Sequence, residues 1–194
     1  MNFHIKLIFI LLFFTSSHAQ EIECGWYGKK PIAERDKMFP FSEAKKVLLI
    51  SFPTQREIYQ EKLSNENKYK ILKSFSLDRD TIPTVYEATE IVEIQKNEID
   101  KLSNLLFNFK IKKLPKRYSL TFINCYQPRN AILFFDENDV IISSLEICFQ
   151  CLQAYLSPDE YEINKLVNIE SCSERMNFLK DLFKSNGIKY GIEE

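Results

Sequence analysis

The sequence predicts an α+β fold with a mainly antiparallel sheet, a C-terminal three-strand meander and helices packed on one face. Three observations predict it. Strand-like and helix-like patterns are segregated along the chain instead of alternating. Three strand candidates follow one another between residues 120 and 149. Two stretches, one at 97–110 and one ending at Gly187, repeat apolar residues at helical spacing. The 194 residues, 45% apolar, suffice for one domain with a core.

Residues 1–19 read as a cleaved export signal. Lys6 and the amino terminus supply positive charge, and residues 7–14 are an unbroken apolar run. Ser17-His18-Ala19 then places small residues where a signal peptidase cuts. The run is far shorter than the roughly 20 residues that span a bilayer, and no other stretch is apolar enough to be a transmembrane helix. Cys24 follows Glu21-Ile22-Glu23, which does not fit a lipidated cysteine. The expected location is periplasmic, cell-surface or secreted, after cleavage near Ala19. Cleavage removes Lys6 and no acid, so the mature charge becomes 25 minus 27, or −2.

Residues 20–44, with Gly25, Trp26, Gly28 and Pro31, read as an irregular N-terminal segment, and 45–194 as one α+β domain. Residues 47–52 are a short apolar run stopped by Pro53, as in a buried strand. Weak helical patterning surrounds 57–63 and 69–72. Residues 85–94 are β-branched and loosely alternating, which suits a strand. In 97–110, Ile99, Leu102, Leu105, Leu106 and Phe109 share one helical stripe, with Asn97 as its cap.

Strands are expected at 120–125, 131–135 and 140–149. The turn Asp136-Glu137-Asn138-Asp139 uses residues that tolerate left-handed backbone in a region without glycine. Ser157-Pro158-Asp159-Glu160 has the form of a helix start, and Ser171 with Glu174 has capping-box spacing. Met176, Leu179, Leu182 and Phe183 make the stripe of a last helix, ended by Gly187.

Two scarcities exclude whole classes of chemistry. His4 and His18 both leave with the signal, so the mature chain has no Ser-His-Asp triad, Cys-His pair or histidine zinc site. No glycine lies in residues 29–186, so no phosphate-binding, dinucleotide-binding or nucleophile-elbow glycine motif exists there. No cofactor or resident metal is implied, and the near-zero charge gives no argument for nucleic acid.

The hairpin at 131–149 carries the residues of most chemical interest. With Phe135 facing Val140, Arg129 falls opposite Glu146. Cys125, Tyr126, Arg129, Glu146, Cys148 and Cys151 then gather at one sheet edge, and Tyr126, Arg129 and Glu146 become the candidate binding surface. Along an extended strand, Cys148 and Cys151 stand about 10 Å apart, beyond disulfide reach. Either the chain turns at Phe149 or each pairs elsewhere, with Cys125 and Cys172 the candidate partners and Cys24 left over. Structural disulfides suit an exported protein. The alternative is thiol-disulfide exchange at the Cys148/Cys151 CxxC, although no good helix follows Cys148 to lower its pKa. A four-cysteine zinc site has only one CxxC knuckle.

Three other features carry weaker signals. Lys110, Lys112, Lys113, Lys116 and Arg117 form a basic stretch that suits an anionic surface or, more simply, a helix C-terminus. Glu146 alone lacks the partner that glycoside chemistry requires. Tyr126 and Trp26 are aromatics of the kind that stack on sugars or pack at an edge.

The run from Cys125 to Phe135 (CYQPRNAILFF), with Leu145 to Cys151 (LEICFQC), resembles a pattern in small exported bacterial proteins of no assigned function. The resemblance spans about residues 85–190 and implies bacterial export but no residue roles. The expectation is an exported, non-enzymatic binding or interaction domain braced by disulfides.

Overall fold

Two apolar segments, residues 46–51 and 130–135, form the centre of a five-stranded antiparallel sheet. The computed structural model describes residues 23–54, 70–73, 85–113, 126–158 and 173–192. Within them run β1 (Glu23–Trp26), α1 (Ile32–Arg35), β2 (Lys46–Ser51), β3 (Lys70–Lys73), β4 (Val85–Ala88) and β5 (Glu90–Glu93). They continue with α2 (Lys96–Asn108), β6 (Phe109–Lys113), β7 (Asn130–Phe135), β8 (Ile141–Cys148), β9 (Gln153–Ser157) and α3 (Ser173–Ser185). The main sheet has the order β5-β2-β7-β8-β9, and every pairing in it is antiparallel. Two-stranded ribbons, β1 with β6 and β3 with β4, complete the described strands. The α+β class with an antiparallel sheet is as the sequence predicts.

All six residues of β7 are buried, which explains why Asn-Ala-Ile-Leu-Phe-Phe hardly alternates. Val47, Leu49, Ile132, Phe134, Leu145 and Ile147 share a core with Leu102 and Leu106 of α2 and Leu179 and Phe183 of α3. Leu48, Ile50, Ala131, Leu133, Phe135 and Ile141 line the opposite, also buried, face. Each large apolar side chain so buried contributes about 1.5–3 kcal/mol.

The C-terminal meander is β7-β8-β9, and its membership differs from the expectation. The strand expected at 120–125 lies outside the described residues, and the two edges of β7 are taken by β2 and β8. Residues 153–157 supply the third strand, so Ser157 ends a strand where a helix cap was expected. The expected strand at 85–94 is two strands, with Thr89 between them, each paired to a different partner. Residues 70–73 form β3 and not a helix, and 57–63 lie outside the described residues. The signal at 1–19 also lies outside them.

Helix α2 begins one residue before the expected cap. Glu98 accepts a hydrogen bond from the Gln95 N–H (3.1 Å), and the Asn97 amide donates to Glu98 (2.9 Å). The helix passes straight into β6 at Phe109. Helix α3 ends as its sequence predicts. Gly187 has φ +85°, its N–H donates to Lys184 O (3.0 Å), and Ile188 N–H donates to Phe183 O (3.1 Å). That pair of bonds is the Schellman pattern, which needs a left-handed residue at Gly187.

Segment 20–44 contains β1 and α1, and it is fastened to α2. Buried Arg35 donates to Asp100 O (2.7 Å), Lys30 O (3.2 Å) and Ser103 Oγ. Asn108 accepts from Lys30 N–H and donates to Lys30 O, both at 2.9 Å. Gly28 fits because it has no side chain: a Cβ there would stand 2.5 Å from Asn108 Cα.

Candidate functional site

The β7–β8 turn sets the register that the candidate edge depends on. Asp136 N–H donates to Val140 O (2.9 Å), which leaves a three-residue loop, Glu137 to Asp139, with Asp139 in the left-handed region at φ 58°. A bulge follows at Phe134/Phe135. The smaller loop and the bulge each advance β8 by one residue. Ala131 therefore faces Glu146 and Asn130 faces Ile147, so Arg129 is not opposite Glu146. Beyond the bulge the two-residue total keeps side chains on their expected faces, while Ile141, before it, is shifted by one residue to the other face.

Tyr126 and Glu146 do meet, through the Tyr126 hydroxyl and the Glu146 carbonyl at 3.5 Å. Arg129 goes elsewhere: its guanidinium lies 6.0 Å from the Tyr190 ring centroid. Across β9, Glu146 pairs with Tyr155. The proposed edge thus divides into a Tyr126–Glu146 contact and a separate Arg129–Tyr190 contact.

The chain turns after Cys148, as one of the two cysteine alternatives requires. Cys148 is a buried thiol whose sulfur accepts the Cys151 N–H at 3.3 Å. Cys24 and Cys151 are the disulfide-bonded members among the described residues. This departs from the expectation that Cys148 is bonded and Cys24 left over. Cys125 and Cys172 lie outside the described residues. Among the described residues, no group of three or more His, Cys, Asp or Glu is arranged to hold a metal ion. No helix among them is long and apolar enough to cross a membrane.

The basic stretch begins on a strand and not at a helix C-terminus. Lys110, Lys112 and Lys113 belong to β6, while Lys116 and Arg117 lie outside the described residues. Lys112 is paired with Glu23 (2.6 Å) and lies 5.3 Å from the Tyr27 ring centroid. Its pKa is raised by the hydrogen bond to Glu23.

Among the described residues, a concavity lies between β1 and α3. Cys24, Gly25, Trp26, Phe109, Glu174, Asn177, Phe178 and Asp181 line about 440 Å³, a size typical of small-ligand sites. Trp26, Phe109 and Phe178 pack edge to face, with centroids 5.3–5.8 Å apart. Phe109 is buried, while Trp26 and Phe178 remain 47% and 42% exposed. Behind them, Arg175 donates to Phe109 O (2.8 Å), and its guanidinium lies 5.7 Å from the Phe109 centroid. Burial pushes Arg175 down to about 10, which still leaves it charged at neutral pH.

Sequence reasoning singled out Trp26 but not this groove. The signal was the outward stripe 174, 177, 178, 181 on α3, which places a phenylalanine among polar residues at i, i+3, i+4, i+7. The stripe's partners, Trp26 and Phe109, are far away in sequence. No family model matches the chain, and no curated protein or solved structure matches it either.

Proposed function

We propose that this is an exported, non-enzymatic binding protein that takes its ligand in the groove between β1 and α3, with disulfides bracing the groove wall. The carrying observation is the pair Trp26 and Phe178, two large aromatics exposed at the mouth of a small-ligand-sized concavity. Aromatic surface held in a cleft with a few polar groups is what recognition sites are made of. Disulfide-bonded Cys24 lines the same wall, and burial of α3 on the sheet keeps the other wall rigid. Export rests on residues 1–19 and agrees with the use of disulfides.

Thiol-disulfide exchange is less well supported. It needs an accessible thiolate and a resolving partner. Cys148 is 3% exposed, and Cys151 is in a disulfide that excludes Cys148.

The test uses Trp26, the only tryptophan in the chain. A chemically diverse small-ligand library is screened by Trp26 fluorescence on the oxidised mature protein. Saturable responses that disappear in Phe178→Ala are expected. A library that gives no response in any chemical class overturns the reading.

A further inference from the structure

Resting on that reading of the groove, we propose that its ligand is an aliphatic polyamine, an organic cation with ammonium groups at both ends of a methylene chain. Glu174 and Asp181 are seven residues apart on α3, two turns along one face, or about 10 Å along the helix axis. Asn177 and the exposed ring of Phe178 lie between them, and Trp26 stands across the groove. The spacing presents two anionic ends and an aromatic middle. Terminal ammonium groups meet the carboxylates, and the methylenes lie on the rings, where an ammonium is also attracted to the π face.

Charge on the lining selects the sign. Among the described residues, the lining contains two carboxylates, Glu174 and Asp181, and no basic residue. Among the described residues, neither Glu174 nor Asp181 takes part in an ion pair. Among the described residues, Lys112, Lys180 and Arg175 are engaged elsewhere, and Lys110 is turned away. Lys112 is held by Glu23, and Lys180 lies 5.8 Å from the Phe149 centroid. Arg175 is buried against Phe109. Lys110 is paired with Gly25, and by strand alternation it faces away from the side that carries Trp26 and Phe109. An anion would meet two like charges, and a neutral ligand would leave both carboxylates without a counter-charge. The volume suits a free small molecule better than a segment of folded partner.

The experiment titrates the oxidised mature protein with spermidine and with three matched eight-carbon chains: diaminooctane, octanediol and octanedioate. Trp26 fluorescence and calorimetry are the readouts, and a short lysine-rich peptide is a fifth arm. Spermidine and diaminooctane are expected to bind, with affinity that falls as salt rises. Glu174→Gln and Asp181→Asn are each expected to weaken binding up to about fivefold, and together to multiply. Both carboxylates are on the protein surface, and the salt dependence of the unaltered protein does not rely on either variant folding. Octanediol or octanedioate binding as tightly as diaminooctane overturns the polyamine and leaves the groove a binding site. Tighter binding of the lysine-rich peptide overturns it in favour of a protein partner. Silence from all five overturns it outright, and silence from the diverse library as well removes the groove reading.

Discussion

Trp26 and Phe178 stand edge to face with ring centroids 5.3 Å apart, one on the first described strand and the other on the last helix. Such pairs add about 0.5–1.5 kcal/mol beyond their area burial. Phe178→Ala is therefore expected to lower stability by about 1–2 kcal/mol in urea unfolding and to shift Trp26 emission to longer wavelength. An unchanged emission spectrum would mean that the two rings do not pack in solution.

The cysteines give a sharp count. The chain has five, and among the described residues Cys148 is a buried thiol while Cys24 and Cys151 are bonded. Unfolded without reductant, the protein is expected to titrate one thiol, and peptide mapping to join Cys24 and Cys151 to Cys125 and Cys172. Native Cys148 is expected to alkylate slowly because it is buried. Reduction is expected to cost about 2–4 kcal/mol per bond. A Cys148–Cys151 bond in the mapped peptides would restore the redox reading.

Arg35 ties the N-terminal segment to α2 with one side chain. Arg35→Ala deletes its bonds to Lys30 O, Asp100 O and Ser103 and leaves buried acceptors unpaired. A loss of about 2–4 kcal/mol in chemical unfolding is expected. A loss below 1 kcal/mol would show that water replaces the guanidinium there.

Gly28→Ala tests the close approach of two backbones. Its Cβ would meet Asn108 Cα at 2.5 Å and Phe107 O at 2.8 Å, so the chain itself must move. A cost of about 1–3 kcal/mol is expected, with faster hydrogen exchange in β1 and β6.

Asp136 supplies a pH dependence. Hydrogen bonds from the Val140 and Asn138 N–H groups hold its carboxyl below the ordinary value of 3.8. The folded state thus favours the ionised form. The stabilisation is present above that ordinary value and disappears as pH falls through the lower folded value. An acid titration followed by NMR should place Asp136 below 3.8. The stability gap to Asp136→Ala should close in strong acid.

The sequence was most legible where one local signal decided the structure. Gly187 ended α3, the apolar run at 47–52 became β2 (Lys46–Ser51), and the left-handed tolerance of Asp139 closed the hairpin. It was least legible where small offsets accumulate. One residue of loop and one of bulge moved Arg129 away from Glu146, and nothing in the residue types marks either. Residues 153–157 do not read as a strand because Gln-Ala-Tyr-Leu has mixed propensity. Pairing with β8 made them a strand. The groove was hidden for another reason: its walls come from β1, the start of β6 and α3, and no window of sequence contains two of them.

The same dispersal makes ligand binding a test of completeness. Trp26 is positioned by its pairing with Phe109, and the opposite wall waits for residues 174–181. A chain interrupted before α3 holds every described strand but only one wall of the groove. Any ligand detected by Trp26 thus reports that distant parts of the polypeptide have met, so binding doubles as an assay of tertiary closure.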